Sequence, residues 1–282
     1  MKKSEAKKII ESNLKIKINK IFDKSRGYDH KVYIAESDKQ DVVIRIPVKE
    51  KNKLFAQAWA FKEWFKLGIP VPKILVMTDK YLIEERIYGT DMDEIKLNSK
   101  QRKNIYYELG KHAKKMHTIK TKKFGYIVKE FEGETDSWKD WIYVDFCSNL
   151  SELQKANLID RELLEKSKKY IDENKNILSN VEPKLLHGDL TPKNLIINNG
   201  KLSGIIDASD SISGDPYYDI AIANISANKE AKFFNEGYGD IDTSKVKFYT
   251  VYYSMWLLNF FGIIQKMEKE FKLFYDFLKF SL

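Results

Sequence analysis

The sequence predicts an α+β protein of two lobes, in which a small sheet-rich lobe precedes a larger, mainly helical one. Three features indicate this order. Short β-type apolar runs fill residues 14–85, one helical pattern interrupts them at residues 54–67, and helical patterns dominate after Gly89. The chain has 282 residues, of which 43% are hydrophobic and 32% charged, so it is long and apolar enough to form a core in each lobe.

The small lobe is predicted to hold a five-stranded antiparallel sheet with one inserted helix. Turn-rich segments separate the first strands, and Pro47 ends the third. The inserted helix carries large apolar residues at helical spacing, and Gly68 ends it. A short helix at residues 3–13 comes first, and strands are predicted at residues 14–22, 31–35, 42–46, 73–77 and 81–85.

The larger lobe is predicted to be helical, with one strand-rich interruption. The first helix covers residues 99–117, with Ser99 as its N-cap. The predicted boundary divides the chain into residues 1–88 and 89–282, and a crevice between two lobes is a common place for a small-molecule site. Further helices are predicted at residues 138–155, 161–177 and from 217 onwards, with the strand-rich patch at 184–207.

Composition favours a protein that binds neither nucleic acid nor membrane. The formal net charge is +8, but the lysines are spread along the chain, which is typical of a solvated surface. Cys147 is the single cysteine, so a disulfide within the chain is excluded. The start of the chain resembles no signal peptide, and no apolar run is long enough to span a bilayer. We therefore expect a cytoplasmic location.

One string of residues carries the chemistry. His187, Asp189 and Asn194 form the pattern H-x-D-x-x-x-x-N between two apolar strands, and Asp207 follows 13 residues after Asn194. Phosphoryl transfer needs a carboxylate near the attacking hydroxyl and oxygen ligands for the magnesium that neutralises the phosphates. A hairpin turning at residues 198–200 would bring Asn194 and Asp207 together. His187 is interpreted as a structural residue that holds the loop by hydrogen bonding.

These motifs resemble the aminoglycoside phosphotransferase family, which shares a bilobal protein-kinase-like fold with the choline kinases. The resemblance covers nearly the whole chain. It is strongest in the segments 187–194, 205–207 and 214–221, and extends to 27–33, 43–47, 68–72 and 109–117.

The resemblance implies a role for each matching residue of the catalytic segment. Asp189 would be the catalytic carboxylate, and Asn194 and Asp207 would hold Mg²⁺. Asp219 would brace the catalytic loop from the helix that follows. The nucleoside triphosphate would be ATP or GTP.

The nucleotide site that the resemblance implies departs from the kinase pattern at two positions. Arg45 replaces the strand lysine that grips the phosphates, and arginine can bind two phosphate oxygens at once. Gln57 takes the place of the paired helix glutamate, so we expect an Arg–Gln contact instead of an ion pair. Residues 84–87 would offer backbone groups to a purine. The predicted nucleotide residues are Ser25, Gly27, Arg45, Gln57, Ile83, Glu85 and Ile87.

The acceptor is predicted from a local reversal of charge. Residues 129–145 hold six acids against two lysines, together with several aromatic residues. Acids suit a polyamine sugar, and aromatic faces suit sugar rings or cations. An ordinary solvated loop and helix start is the alternative, and the helical spacing around Trp256 is more typical of a core position. The predicted acceptor residues are Glu134, Asp136, Trp138, Asp140 and Trp256.

The sequence therefore predicts an O-phosphotransferase that acts on an aminoglycoside or similar amino-sugar, of the type that confers antibiotic resistance. A macrolide phosphotransferase, or a kinase for choline or a sugar alcohol, remains an alternative of the same fold. A regulatory pseudokinase that only binds nucleotide is the alternative from another class. Arg45 and Gln57 favour that last possibility, and the intact Asp189, Asn194 and Asp207 count against it.

Overall fold

A computed structural model describes residues 1–25, 30–48 and 52–282 of the chain. Its first part is the predicted five-stranded sheet, antiparallel throughout, with the strand order β1-β2-β3-β5-β4. Helix α1 (Lys3–Leu14) precedes the sheet, and helix α2 (Asn52–Lys66) is inserted after its third strand. The strands are β1 (Ile18–Asp23), β2 (His30–Ser37), β3 (Val42–Pro47), β4 (Ile74–Met77) and β5 (Leu82–Glu85). The predicted sheet with one inserted helix is confirmed.

The first strand begins later than the sequence suggests. Lys15, directly after α1, has a left-handed backbone with φ 54°, which ends the helix, and β1 starts only at Ile18. Ala6 and Ile10 of α1 are fully buried in the same core as Ile44 of β3. The helix thus covers one face of the sheet and removes its apolar residues from water.

Helix α2 joins the two parts of the molecule. Its termination is as predicted, since Gly68 has φ 69° and Pro70 and Pro72 follow. Phe61 and Trp64 are fully buried in a core that also contains residues from the larger lobe, such as Leu195. Because α2 packs on both lobes, it holds them together through a shared core.

The larger lobe is mainly helical. Asn98, and not Ser99, is the N-cap of its first helix: its side chain accepts from Gln101 N–H at 2.9 Å, and the Gln101 side chain accepts in return from Asn98 N–H. Among the described residues, no helix is long and apolar enough to cross a lipid bilayer. The helices are α3 (Ser99–Met116), α4 (Trp138–Ala156), α5 (Arg161–Asn174), α6 (Tyr217–Ala227), α7 (Ala231–Tyr238), α8 (Thr243–Asn259) and α9 (Glu268–Ser281).

Seven short strands form two small sheets in this lobe. They are β6 (Thr90–Asp91), β7 (Phe124–Lys129), β8 (Glu132–Thr135), β9 (Lys184–Leu186), β10 (Leu195–Asn198), β11 (Lys201–Ile205) and β12 (Ile212–Gly214). One sheet has the order β11-β10-β6 and the other β8-β7-β12-β9. The predicted strand-rich patch is therefore present, but the β7–β8 hairpin was not predicted.

The β10–β11 hairpin positions the candidate site, and its turn is as predicted. Asn198 pairs with Lys201, so the loop is the two residues Asn199 and Gly200, with φ of 50° and 72°. Two consecutive positive φ angles are the signature of a type I′ turn, which asparagine followed by glycine favours. At the other end, Ile206 N–H donates to the Asn194 carbonyl at 2.9 Å. The hairpin thus brings the neighbours of Asn194 and Asp207 side by side.

Candidate active site

The loop between β9 and β10 presents Asp189 in a network of hydrogen bonds. Thr191 Oγ1 donates to Asp189 Oδ1 at 3.1 Å, and Asn194 Nδ2 donates to Asp189 Oδ2 at 2.9 Å. The ammonium of Lys193 lies 2.9 Å from Asp189 Oδ2. Asp189 itself is only partly buried, so its carboxylate is oriented by these neighbours and still open to the crevice.

Asp219 anchors this loop from below. The carboxylate is fully buried at the start of α6 and accepts from the backbone N–H of His187 at 2.7 Å and of Gly188 at 2.8 Å. His117 Nε2 lies 3.1 Å from the same carboxylate and donates to it. Burial raises the pKa of Asp219, but these donors outweigh it and the net shift is downward.

His187 holds the loop, as its interpretation from sequence suggests. Its Nδ1 accepts from Asp189 N–H at 3.3 Å, so the proton is on Nε2, which donates to the Ile206 carbonyl at 3.1 Å. The ring is fully buried and stacks on Trp64, with 5.7 Å between ring centroids and 4° between planes. Both ring nitrogens are occupied, which leaves neither for proton transfer.

Asp207 follows Ile206, the residue that lies opposite Asn194 at the open end of the hairpin. Its φ of 61° turns the chain sharply after Ile206. Oδ1 of Asp207 lies 3.5 Å from Arg45 Nη1. Burial raises the pKa of this carboxyl, but the charges of Arg45 and His30 prevail and lower it below its usual range. Asp207 is therefore a carboxylate that faces a fixed cation from the small lobe.

The contact predicted between Arg45 and Gln57 is replaced by a different arrangement. Arg45 Nε donates to Glu84 Oε1 at 2.9 Å, and Gln57 Nε2 donates to Glu84 Oε2 at 3.0 Å. The two side chains therefore share one carboxylate from β5. The prediction was wrong because Glu84 was assigned to the connection between the lobes, where only its backbone was considered.

Part of the backbone that was predicted to bind a purine is already paired within the sheet. Ile83 and Glu84 lie inside β5 and are paired with β3 on one side and β4 on the other. Glu85 N–H donates to the Lys73 carbonyl at 2.9 Å, so its backbone is also part of the sheet. Ile87 lies beyond the strand and is half-buried. The backbone that remains for a purine is thus nearer to Ile87 than to Ile83.

The predicted phosphate-loop residues are only partly within the described structure. Ser25 follows β1, and its Oγ accepts from Val32 N–H at 3.0 Å, which ties it to the neighbouring strand. Gly27 lies outside the described residues.

The five predicted acceptor residues do not form one surface. Trp138 is buried in the core and donates through Nε1 to Tyr249 Oη at 2.7 Å. The Asp136 side chain is 87% exposed and lies 3.7 Å from Lys123, and Asp140 is an exposed residue of the first turn of α4. Trp138 is therefore a core residue, whereas Asp136 and Asp140 are exposed residues of the surface.

Glu134 and Trp256 remain near a cluster of aromatic rings, which we call the aromatic wall. Glu134 Oε1 accepts from Trp141 Nε1 at 3.0 Å, and Trp256 stacks on Tyr253 with 5.3 Å between centroids. The aromatic wall comprises Tyr126, Trp141, Tyr218, Tyr252 and Tyr253.

Two carboxylates that the sequence did not assign lie at this wall. Asp145 Oδ2 accepts from Tyr252 Oη at 2.7 Å, and Asp210 lies 3.0 Å from Lys53 Nζ. Burial raises the pKa of the Tyr218 hydroxyl, and the charges of both carboxylates raise it further. Trp141 and Asp145 are four residues apart on α4, and this helical spacing was a usable signal.

A hydrogen-bonded aspartate on a loop, with an asparagine and a second aspartate joined by a hairpin and an arginine above them, defines the class of kinase-like phosphotransferases. The model of the "Phosphotransferase enzyme family" matches residues 25–249 of the chain. The chain belongs to this family, and it is an O-phosphotransferase of the small-molecule kinase type.

Solved structures agree on the fold. The apo form of a thermostable mutant of aminoglycoside phosphotransferase APH(4)-Ia superposes with a TM-score of 0.76 at 14% identity, over 98% of this chain and 97% of that one. The GDP and kanamycin complex of APH(2")-IIia gives 0.72 at 15% identity, over 98% of both chains. The gentamicin–APH(2")-IIa complex gives 0.65 at 21% identity, over 99% and 96%. A search of curated proteins found no match.

Proposed function

We propose that the enzyme transfers the γ-phosphoryl group of ATP or GTP to a hydroxyl of a polycationic amino-sugar of the aminoglycoside type. The observation that carries the proposal is Asp145, a partly buried carboxylate that accepts from Tyr252 of the aromatic wall at 2.7 Å. Asp210, whose backbone lies against Gly188 beside Asp189, adds a second carboxylate, which is paired with Lys53. Structural neighbours hold nucleotides such as ADP and GDP, and aminoglycosides such as hygromycin B and kanamycin. Confirmation of this acceptor would place the protein among antibiotic-resistance enzymes.

In this proposal Asp189 orients the acceptor hydroxyl and takes its proton. The acceptor oxygen forms a bond to the γ-phosphorus while the bond from that phosphorus to its bridging oxygen breaks, and the nucleoside diphosphate leaves. Lys193 Nζ, 2.9 Å from Asp189 Oδ2, adds positive charge beside the transferring group.

The residues present fit a magnesium ion. Asp207 Oδ1 is buried and accepts no hydrogen bond within the described parts of the chain. The side-chain amide nitrogen of Asn194 donates to the backbone carbonyl and the carboxylate of Asp189, so its amide oxygen is available as a metal ligand. No three His, Cys, Asp or Glu side chains of the described residues converge on a metal site, but Mg²⁺ needs only one or two protein ligands when phosphates supply the rest. Mg²⁺ there would neutralise charge on the phosphates.

Asp207→Asn tests this assignment. The change keeps the shape of the side chain and removes its charge, so Mg²⁺-dependent affinity for a non-hydrolysable nucleotide should fall at least about tenfold. Affinity without Mg²⁺ should stay the same. Titration calorimetry with and without Mg²⁺ measures both, and Asp240→Asn, an exposed site, serves as the control. An equal loss in both conditions would show that Asp207 does not act through the metal.

The acceptor proposal rests on unbalanced negative charge. Asp145 is partly buried and forms no ion pair within the described parts of the chain. Burial raises the pKa of its carboxyl, although the hydrogen bonds from Tyr252 and Asn149 oppose this. A carboxylate in that state gains from a cation delivered by the acceptor, and the exposed ring of Tyr126 and the partly exposed ring of Trp141 offer faces for ammonium groups and sugar rings.

Asp145→Asn should raise KM for a cationic acceptor by about 10–100-fold, the range expected when a charge-assisted hydrogen bond worth about 1.5–3 kcal/mol is lost. The nucleotide KM should not change. The measurement is ADP release in a screen of aminoglycosides, macrolides, choline and sugar alcohols, with Asp136→Asn as the exposed control. Turnover only of neutral acceptors would exclude the amino-sugar. Nucleotide binding without turnover of any acceptor would indicate a pseudokinase.

A further inference from the structure

The small lobe contains one buried carboxylate that the reaction as described does not use. Glu84 is 1% exposed in the middle of β5. Its two oxygens are divided between Arg45 Nε at 2.9 Å and Gln57 Nε2 at 3.0 Å. Arg45 is 5% exposed and Gln57 is fully buried, so all three side chains are withdrawn from water.

This arrangement is costly as a purely structural device. Burial raises the pKa of Glu84, against the opposing effect of Arg45 and Gln57. Apolar side chains of similar volume would stabilise such a position as well or better, because a buried ion pair recovers little more than its desolvation cost. Gln57 Oε1 is also buried and accepts no hydrogen bond from any residue that the structure describes.

The geometry gives the carboxylate a directional role. Glu84 accepts a hydrogen bond from Arg45 Nε, the guanidinium nitrogen that is bonded to the aliphatic part of the side chain. Nη1 is thereby aimed at the crevice, where it lies 3.5 Å from Asp207 Oδ1. Because the guanidinium is planar and rigid, holding Nε fixes the direction of both Nη groups.

We propose that Glu84 is a positioning residue for the nucleotide, which fixes Arg45 so that its Nη groups face the phosphates. The carboxylate belongs to the strand that leads into the connection between the lobes. Helix α2 contributes only the neutral amide of Gln57. The arginine is therefore oriented by the sheet, and a displacement of α2 alone would not release it. This inference rests on the proposed role of Arg45 in binding nucleotide.

Two variants distinguish the effect of the guanidinium's orientation on nucleotide binding from the effect of neutralising its buried charge. Glu84→Gln keeps the side-chain volume and removes the countercharge of Arg45. The exchange Gln57→Glu with Glu84→Gln restores the countercharge but places it on α2. We expect nucleotide KM to rise by about 10–100-fold in Glu84→Gln. The exchange should recover stability in urea unfolding but keep the raised nucleotide KM, and acceptor KM should stay within about twofold in both.

The matched control is Glu152→Gln, the same chemical change in an exposed carboxylate of α4 that pairs with Lys155 at 3.0 Å. Its nucleotide KM should stay near the wild-type value. Wild-type nucleotide KM in the exchange variant would overturn the inference, since charge balance alone would then suffice. If Glu84→Gln fails to fold, the exchange variant decides alone. Wild-type nucleotide KM in Arg45→Met would instead refute the proposed role of Arg45.

Discussion

Replacing Asp189 with asparagine should lower kcat by about 10²–10⁴-fold, the usual contribution of a positioned acid or base. Asparagine can keep the present contacts: its oxygen can accept from Asn194 Nδ2 and Lys193, and its amide can donate to Thr191 Oγ1. What it cannot do is take a proton from the acceptor. The loss should therefore fall on turnover, with little change in nucleotide affinity. ADP-release kinetics and nucleotide titration measure the two quantities.

A matched control for this variant is Asp140→Asn, an equal chemical change at an exposed site on α4. It should retain wild-type kcat. Wild-type turnover in Asp189→Asn would contradict the role of Asp189. A parallel loss of turnover and of nucleotide affinity would show instead that the loop had moved, since Asn194 donates to both the carboxylate and the backbone carbonyl of Asp189.

The catalytic loop was predictable because its information is local. Spacing placed Asn194 and Asp207 at the two ends of a hairpin, and the Asn199–Gly200 pair specified the turn that closes it. The same holds for the end of α2 at Gly68, where the positive φ favours glycine. Such elements need no knowledge of distant contacts.

The nucleotide site was harder because its partners are far apart in sequence. Arg45 and Glu84 are separated by 39 residues and meet through the pairing of β3 with β5. Alternation along a strand predicts which face a side chain occupies but not which residue lies diagonally across from it. Gln57, at the expected helical position, was therefore taken as the partner of Arg45.

The acceptor residues were harder to predict for a different reason. Charge density along residues 129–145 was read as a single surface, but part of the segment is the β7–β8 hairpin and part is α4. Asp136 and Asp140 consequently face solvent. The residues at the wall follow the helical period through Trp141, Asp145 and Asn149, which a count of acids does not show.

Asp219→Ala should reduce the free energy of unfolding by about 3–5 kcal/mol, the cost of breaking a buried, fully used ionic network. The carboxylate satisfies two backbone N–H groups, those of His187 and Gly188, and alanine leaves both buried without an acceptor. Turnover should fall as well, because those donors fix the loop that carries Asp189. Urea unfolding and ADP release measure the two effects.

The large loss of stability expected for Asp219→Ala depends on the burial of this carboxylate. An exposed carboxylate with similar hydrogen bonds provides the comparison. Asp242 also accepts from two backbone N–H groups, those of Ser244 and Lys245, but as an exposed N-cap of α8. Water can replace it there, so Asp242→Ala should cost only about 1 kcal/mol. Equal losses in the two variants would mean that Asp219 stabilises the loop no more than a surface cap does.

The pH dependence of stability provides an independent test of the contribution of Asp219. The pKa of Asp219 is lowered in the folded protein, so its contribution is present above the ordinary aspartate value of 3.8 and is lost as the pH falls through the lower folded value. The difference in unfolding free energy between wild type and Asp219→Ala should therefore be constant near neutral pH and shrink below about pH 4. A difference that grew on acidification would require the opposite shift, which the donors of His187, Gly188 and His117 do not permit.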